Sequence, residues 1–361
     1  MRTRIYLDWA ATAPTEPAAI DAMADAARAW ANPLSVHGEG RRARAALEEA
    51  RRAILSGLGA SGTLIVTSGA SEALAIALAR ARASARLISA VEHAAVRTAA
   101  PDAGVIPVDT AGRVDVGALA AMLERAKAPA LVAVMQANNE TGVVQPLGEV
   151  MRVVRAAGGL LLVDAVQAAA RLPWPDADFV AVCAHKLGGP PGVGALVVRD
   201  PGLLDAIGSG QEEGYRSGTQ NWPAVAGWAA ALTARAADVG WCARVTALRE
   251  RLEVRLRASG GVVAGEEAER LPHICCVGMP GVEAIRQLMI LDLDGFAVSA
   301  GAACSSGRVG ASHVLEAMGW GAMAGEAIRV SLGWRTTEAE VDAFADRWDR
   351  TAARLMRKAA A

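Results

Sequence analysis

Leu161-Leu162-Val163-Asp164-Ala165-Val166-Gln167 is an apolar strand that runs into a carboxylate, with an amide three residues further on. Val180-Ala181-Val182-Cys183-Ala184-His185-Lys186 follows one strand-and-loop unit later and ends in a histidine and a lysine. Continuous apolar runs of this kind suit strands covered on both faces, as in a parallel sheet flanked by helices. The pattern extends outward from these two runs. Thr63 to Thr67, Arg86 to Ala90, Ala130 to Met135 and Gly194 to Val198 read as further strands, and Ser71 to Arg82 and Pro146 to Ala157 as helices. This alternation predicts an α/β fold with a mainly parallel sheet. Ligands of such sheets bind outside the carboxyl ends of the strands, where Asp164 and Lys186 both fall.

Pro223 to Ala258 is helical in pattern, with a break at Gly240, and leads toward a second region. There an apolar run at His273 to Val277, a helix at Val282 to Leu291 and strands at Phe296 to Ser299 and Ala327 to Leu332 are expected. Helices at Ser312 to Met318 and Thr337 to Met356 complete an α+β pattern. A chain of 361 residues exceeds one ordinary core. A large domain over residues 15–245 and a smaller one built from 1–14 with 246–361 is therefore expected.

Composition narrows the functional classes. Lys and Arg number 37 against 38 Asp and Glu, so no basic excess is available to track nucleic-acid phosphates. No apolar run reaches the roughly 18 uncharged residues of a membrane span. Met1 to Ala10 lacks the apolar core of a secretory signal, so a cytoplasmic location is expected. The five cysteines are scattered and show neither a disulfide framework nor zinc-site spacing, so no metal is expected. Cys275 and Cys276 read as strand residues.

Several segments carry chemistry. A carboxylate at a strand end, such as Asp164, is partly buried and needs a cationic or donor partner to stay ionised. A protonated pyridine nitrogen is one such partner; a helix N-cap is the plainer reading. Lys186 at a desolvated strand end can lose its proton and form an imine, or can be an ordinary exposed lysine. Thr67-Ser68-Gly69-Ala70-Ser71-Glu72 joins a strand to a helix start, where free backbone N–H groups make an anion site. His93 follows the strand Arg86 to Ala90, placed to stack on an aromatic group and move protons. Asn138-Asn139-Glu140-Thr141-Gly142 brings amide donors to another strand end, or forms a turn. Cys304 lies in a run of small residues, Ser299 to Gly307, that favours an exposed, reactive thiol. Arg329 interrupts a strand and suits bidentate capture of a carboxylate, or an internal salt bridge.

Taken together these segments resemble the cysteine desulfurases, pyridoxal-phosphate (PLP) enzymes of the class V aminotransferase group. The resemblance runs in order through Tyr6-Leu7-Asp8-Trp9-Ala10-Ala11-Thr12, Thr67 to Glu72, Asn138 to Gly142, Asp164 to Gln167 and His185-Lys186. It continues through Arg216-Ser217-Gly218-Thr219, Gly301-Ala302-Ala303-Cys304 and Ile328-Arg329-Val330-Ser331-Leu332-Gly333. It implies a PLP-dependent transferase fold of the aspartate aminotransferase type, with the smaller domain carrying a mobile loop around Cys304. Lys186 would hold the cofactor as a Schiff base, Asp164 would pair with its ring nitrogen and Gln167 with its phenolate oxygen. His93 would stack on the ring and Asn139 would lie near the ring substituents. Ala70, Ser71 and His185 would contact the phosphate, and Thr219 would reach the phosphate of the other subunit of a homodimer. Arg329, with Asn139, would hold the carboxylate of L-cysteine, and Cys304 would take its sulfur as a persulfide for an acceptor protein. The sulfur would serve iron–sulfur cluster or thio-cofactor biosynthesis.

Departures from the family pattern also stand out. Cys183 occupies the place of a phosphate-binding serine, Ser71 that of a threonine, and Glu213 that of an arginine. The chain closes at Ala361, soon after its last helix, without the longer tail that housekeeping members use toward an iron–sulfur scaffold. The resemblance therefore implies desulfuration more firmly than scaffold delivery. Selenocysteine lyase or aminotransferase chemistry is the neighbouring alternative on the same fold. A non-catalytic sulfur-relay protein is the alternative of another class.

Overall fold

The computed structural model describes residues 4–208, 211–301 and 310–359. Its centre is a seven-stranded sheet. From one edge to the other the strands are Thr63–Thr67, Gly194–Val198, Phe179–Cys183, Leu160–Asp164, Ala130–Met135, Ala85–Ser89 and Gly104–Ile106. Gly194–Val198 runs antiparallel to both its neighbours, and the other pairings are parallel. All five residues of Leu160–Asp164 and of Phe179–Cys183 are buried, which explains why neither reads as an alternating strand.

The pleat sends successive side chains into different cores. Leu161, Val163, Val180 and Val182 face a core shared with Ile54, Leu119, Val150 and Trp228. These belong to the helices Gly38–Leu58, Val116–Arg125, Leu147–Ala156 and Trp222–Ala236. Leu160, Leu162, Phe179 and Ala181 face the opposite core, with Leu74, Ala77 and Val96 from the helices Ala70–Arg80 and Ala94–Ala99. A side chain at residue 194 would put its Cβ 2.6 Å from the Val182 carbonyl and 2.8 Å from the Gly69 Cα. Glycine there lets the turn before Ala70 lie directly against the sheet edge.

The helical stretch expected over Pro223 to Ala258 divides into Trp222–Ala236 and Trp241–Ala258, with Gly240 capping the second. The second helix packs with Glu338–Ala359 on an antiparallel sheet ordered Ala327–Ser331, Ile274–Gly278, Val262–Val263. Leu248, Leu252, Phe344 and Trp348 form this core with Cys275, Val277, Ile328 and Val330. Leu7 joins it, because Ile5–Tyr6 pairs with Phe296–Ala297. The strand expected over Phe296 to Ser299 is shorter than its apolar pattern, and Ser299 instead bridges to Arg329. Cys275 and Cys276 are buried strand residues, as expected. The N-terminal segment then crosses to the large sheet, where the Ala13 N–H donates to the His185 carbonyl at 2.8 Å. No helix among the described residues is long and apolar enough to cross a membrane.

Candidate active site

A cavity of about 530 Å³ opens at the carboxyl ends of the large-sheet strands. Its lining includes Ala70, Ser71, His93, Asn139, Asp164, Gln167, Cys183, His185, Lys186 and Arg329. All ten were marked in the sequence, from six separate segments. Thr219 is exposed and does not line the cavity of its own chain. Cys304 lies outside the described residues.

Asp164 closes a fully buried strand, and its Oδ1 accepts from the Val166 N–H at 2.9 Å. Burial pushes its carboxyl above the usual range, while that hydrogen bond and the nearby His93 and Lys186 pull it back. Gln167 donates from Nε2 to the Ala10 carbonyl at 2.8 Å, and its Oε1 is buried with no hydrogen-bond partner among the described residues. Lys186 follows the tight loop after Phe179–Cys183, and its Nζ donates to the carbonyls of Ala10 and Ala11 at 2.5 Å each. The N-terminal segment therefore builds part of the cavity wall. The matching text at Tyr6 to Thr12 was its signal, although the residue types alone assign it no role.

His93 caps the helix Ala94–Ala99, its Nδ1 accepting from the Ala95 N–H at 3.1 Å, which leaves the ring proton on Nε2. The helix Ala70–Arg80 begins at Gly69 without a side-chain cap, so its first N–H groups are open to an anion. Burial and then the charge of Lys186 push the His185 imidazole down to about 4. It is therefore neutral near pH 7. Burial pushes the Cys183 thiol up to about 12, and its Sγ lies 3.9 Å from His185 Nε2. Cys183 thus faces the cavity as an un-ionised, weak donor.

Arg329 is the internal salt bridge that its strand position allowed. It pairs with Asp8 at 2.9 Å and donates to the Asn139 carbonyl at 2.8 Å. Its Nε is buried without a hydrogen-bond partner among the described residues. Asp8 also accepts from the Ser299 hydroxyl at 2.8 Å. Nothing in the sequence pairs Asp8 with Arg329, since the two lie at opposite ends of the chain.

Glu92, beside His93, is fully buried and was not marked in the sequence as functional. Its Oε1 accepts from the Ser89 hydroxyl at 2.6 Å and the Met135 N–H at 2.8 Å, tying two strand ends together. Burial pushes its carboxyl from 4.5 up to about 8. A folded-state pKa above the unfolded value gives stability that is present below 4.5 and lost as pH rises through 8. His185 acts with the opposite sign: its stability is present above 6.5 and lost as pH falls through 4. Between about pH 6.5 and 8 the Glu92 slope should therefore stand out. Glu92→Gln should flatten the fall in stability of the cofactor-free protein over that window, by roughly 1–2 kcal/mol. Urea denaturation of both proteins across pH checks this, and parallel curves would contradict it.

These residues suit one kind of ligand. Lys186 and Arg329 bring two basic groups to the cavity and Asp164 a desolvated carboxylate, while Asp8 pairs with Arg329. An amine, a buried acid, an unsatisfied amide oxygen and an open helix start together fit the aldehyde, ring nitrogen, ring oxygen and phosphate of pyridoxal phosphate. Fold and site place the chain among the α/β enzymes with the PLP-dependent transferase fold. More narrowly, it belongs to the class-V aminotransferase family, whose model matches residues 5–344. It is 40% identical to a cysteine desulfurase of Cereibacter sphaeroides, across 94% of this chain and 93% of that one. It is 37% identical to an IscS-like cysteine desulfurase of Mycobacterium tuberculosis, across 99% of this chain and 98% of that one. Among solved structures, a NifS-like protein from Rickettsia africae superposes with a TM-score of 0.88 at 29% identity, covering 96% of this chain and 99% of the other.

Proposed function

We propose that the chain is a PLP-dependent cysteine desulfurase. L-cysteine and the Cys304 thiol give L-alanine and a Cys304 persulfide, whose outer sulfur passes to an acceptor protein. The observation that carries this reading is the convergence of Asp164, Lys186, His93 and Gln167 in one cavity at the strand ends. The named relatives are desulfurases along almost their whole length, which supports the substrate.

Lys186 would hold the cofactor through its amine, Asp164 its ring nitrogen, Gln167 its ring oxygen, and the Ala70–Ser71 backbone with His185 its phosphate. When bound, the cofactor supplies an electron sink that acidifies the substrate Cα–H and weakens the carbon–sulfur bond. His93 faces this space with its ring proton on Nε2. Lys186 is placed to take and return the Cα proton, since its amine shares the cavity. Arg329 orients the substrate carboxylate while sharing its guanidinium with Asp8, which keeps the guanidinium fixed. Cys304 attacks the substrate sulfur, and the two electrons of the broken carbon–sulfur bond return to the carbon that becomes the alanine methyl.

The same reading divides the chain into a large domain at 15–245 and a small one from 1–14 with 246–361. It makes the protein a cytoplasmic homodimer, with Thr219 serving the partner's cofactor phosphate. Purified protein loaded with pyridoxal phosphate should convert L-cysteine to equal amounts of alanine and reductant-released sulfide. Failure with L-cysteine but turnover of L-selenocysteine or cystine would reassign the substrate.

A further inference from the structure

Behind the candidate active site a half-buried cation has no counter-charge among the described residues. Arg171 donates to the carbonyls of Lys186 at 2.7 Å and Gln167 at 3.2 Å. Its Nε is buried without a hydrogen-bond partner among the described residues. It forms no ion pair with any carboxylate among the described residues. Burial lowers its guanidinium to about 10, so it remains charged at neutral pH. A partly desolvated ion without a counter-ion is unfavourable, and carbonyl dipoles offset only part of that.

Arg171 lines a second cavity, of about 150 Å³, together with Leu187, Leu232, Arg235, Trp241 and Trp334. Both guanidiniums lie 5.7 Å from the centroid of Trp241, and that of Arg235 lies 4.1 Å from that of Trp334. Stacking fixes both planar groups. Arg235 Nη2 is also buried without a hydrogen bond among the described residues, at 3.6 Å from Asp238. The carboxylates nearby, Asp238 and Glu16, each have an arginine partner, and Glu16 keeps one buried oxygen without a hydrogen bond among the described residues. Asp238 is shared by Arg235 at 3.6 Å and Arg244 at 3.1 Å, and Glu16 is held by Arg335 at 2.7 Å. The helix Trp241–Ala258 begins here without a side-chain cap, adding positive partial charge.

We propose that this cleft binds a small inorganic oxyanion of the phosphate or sulfate type between the guanidiniums of Arg171 and Arg235. Pockets for organic ligands run from about 300 Å³ upward, so this one is sized for an ion. The remaining N–H groups of Arg171 hold the backbone of Lys186 and Gln167, so the bound anion also steadies the wall of the candidate active site.

Inorganic phosphate is the probe. It is titrated by equilibrium dialysis into protein saturated with pyridoxal phosphate, which closes the cofactor pocket to it, at an ionic strength held constant with chloride. One saturable phosphate per chain beyond the cofactor is expected. Arg171→Gln would also strand the Lys186 and Gln167 carbonyls, so Arg235→Gln is the cleaner variant. It should weaken phosphate by about tenfold or more while leaving the visible cofactor band in place. Absence of saturable phosphate in the wild type, or undiminished binding by Arg235→Gln, overturns the proposal.

Discussion

Replacing Lys186 by alanine is expected to lower desulfuration by about a thousandfold or more while leaving a folded protein. The side chain would serve both as the covalent attachment for the cofactor and as the group that moves the substrate proton, so its loss removes two functions at once. Folding should survive, because the hydrogen bonds lost to the Ala10 and Ala11 carbonyls leave the Ala10 carbonyl still holding the Gln167 amide. The electrostatic consequence has a definite sign. Lys186 holds the Asp164 carboxyl down against burial, so Asp164 should rise further in the variant and grip a protonated ring less well. The decisive measurement is chemical. Borohydride treatment of the loaded wild type should fix the cofactor to the chain through denaturation, on a peptide containing Lys186. The same treatment of Lys186→Ala should leave the cofactor removable. Cofactor fixed to the variant at wild-type yield would refute the assignment.

The large sheet was legible because its central strands are buried on both faces, which writes them as unbroken apolar runs in the sequence. Asp164 and Lys186 were legible for the same reason, since each is a charge placed where such a run stops. Shorter strands were not. Ile5–Tyr6 and Val262–Val263 have two residues each, too few to show any period, and exist because their neighbours pair with them. The helices Pro17–Arg28 and Gly38–Leu58 were passed over although both are amphipathic, because the reading began where strands and helices first alternate.

Contacts between distant segments were the least legible. Arg329 was open to two readings, and only the fold brings Asp8 to it across the whole chain. Arg171 sits in Ala169-Ala170-Arg171-Leu172, where nothing marks its side chain as half-buried beside two tryptophans. Its environment comes from Trp241, Arg235 and Trp334, drawn from three other segments. Thr219 is expected to act on a second chain, so no reading of one chain's cavity can include it.

Replacing Cys304 by serine is expected to abolish sulfide release, again by about a thousandfold or more, but without affecting the cofactor. The cofactor cavity is lined from other segments, so the visible band and the borohydride-fixed peptide should match the wild type. Rescue by another cysteine is not expected. Cys183 lies in the cavity, but burial holds its thiol near 12, leaving almost no thiolate at neutral pH. Burial likewise raises Cys275 and Cys276 within their strand, and Cys242, half-buried, is raised by the same cause. The segment bearing Cys304 has described flanks that meet at one buried carboxylate. The Ser312 hydroxyl donates to Glu140 Oε2 at 2.5 Å, and a Cβ on residue 301 would lie 1.8 Å from that oxygen, so a side chain there would displace the carboxylate. Glu140 adjoins Asn139 in the cavity wall, which ties the anchor of this segment to the place where the substrate carboxylate is expected. Cys304→Ser should therefore bind L-cysteine, shift the cofactor spectrum and stop before alanine forms. Alanine production at the wild-type rate would move the nucleophile to another residue, with Cys183→Ala as the next variant to measure.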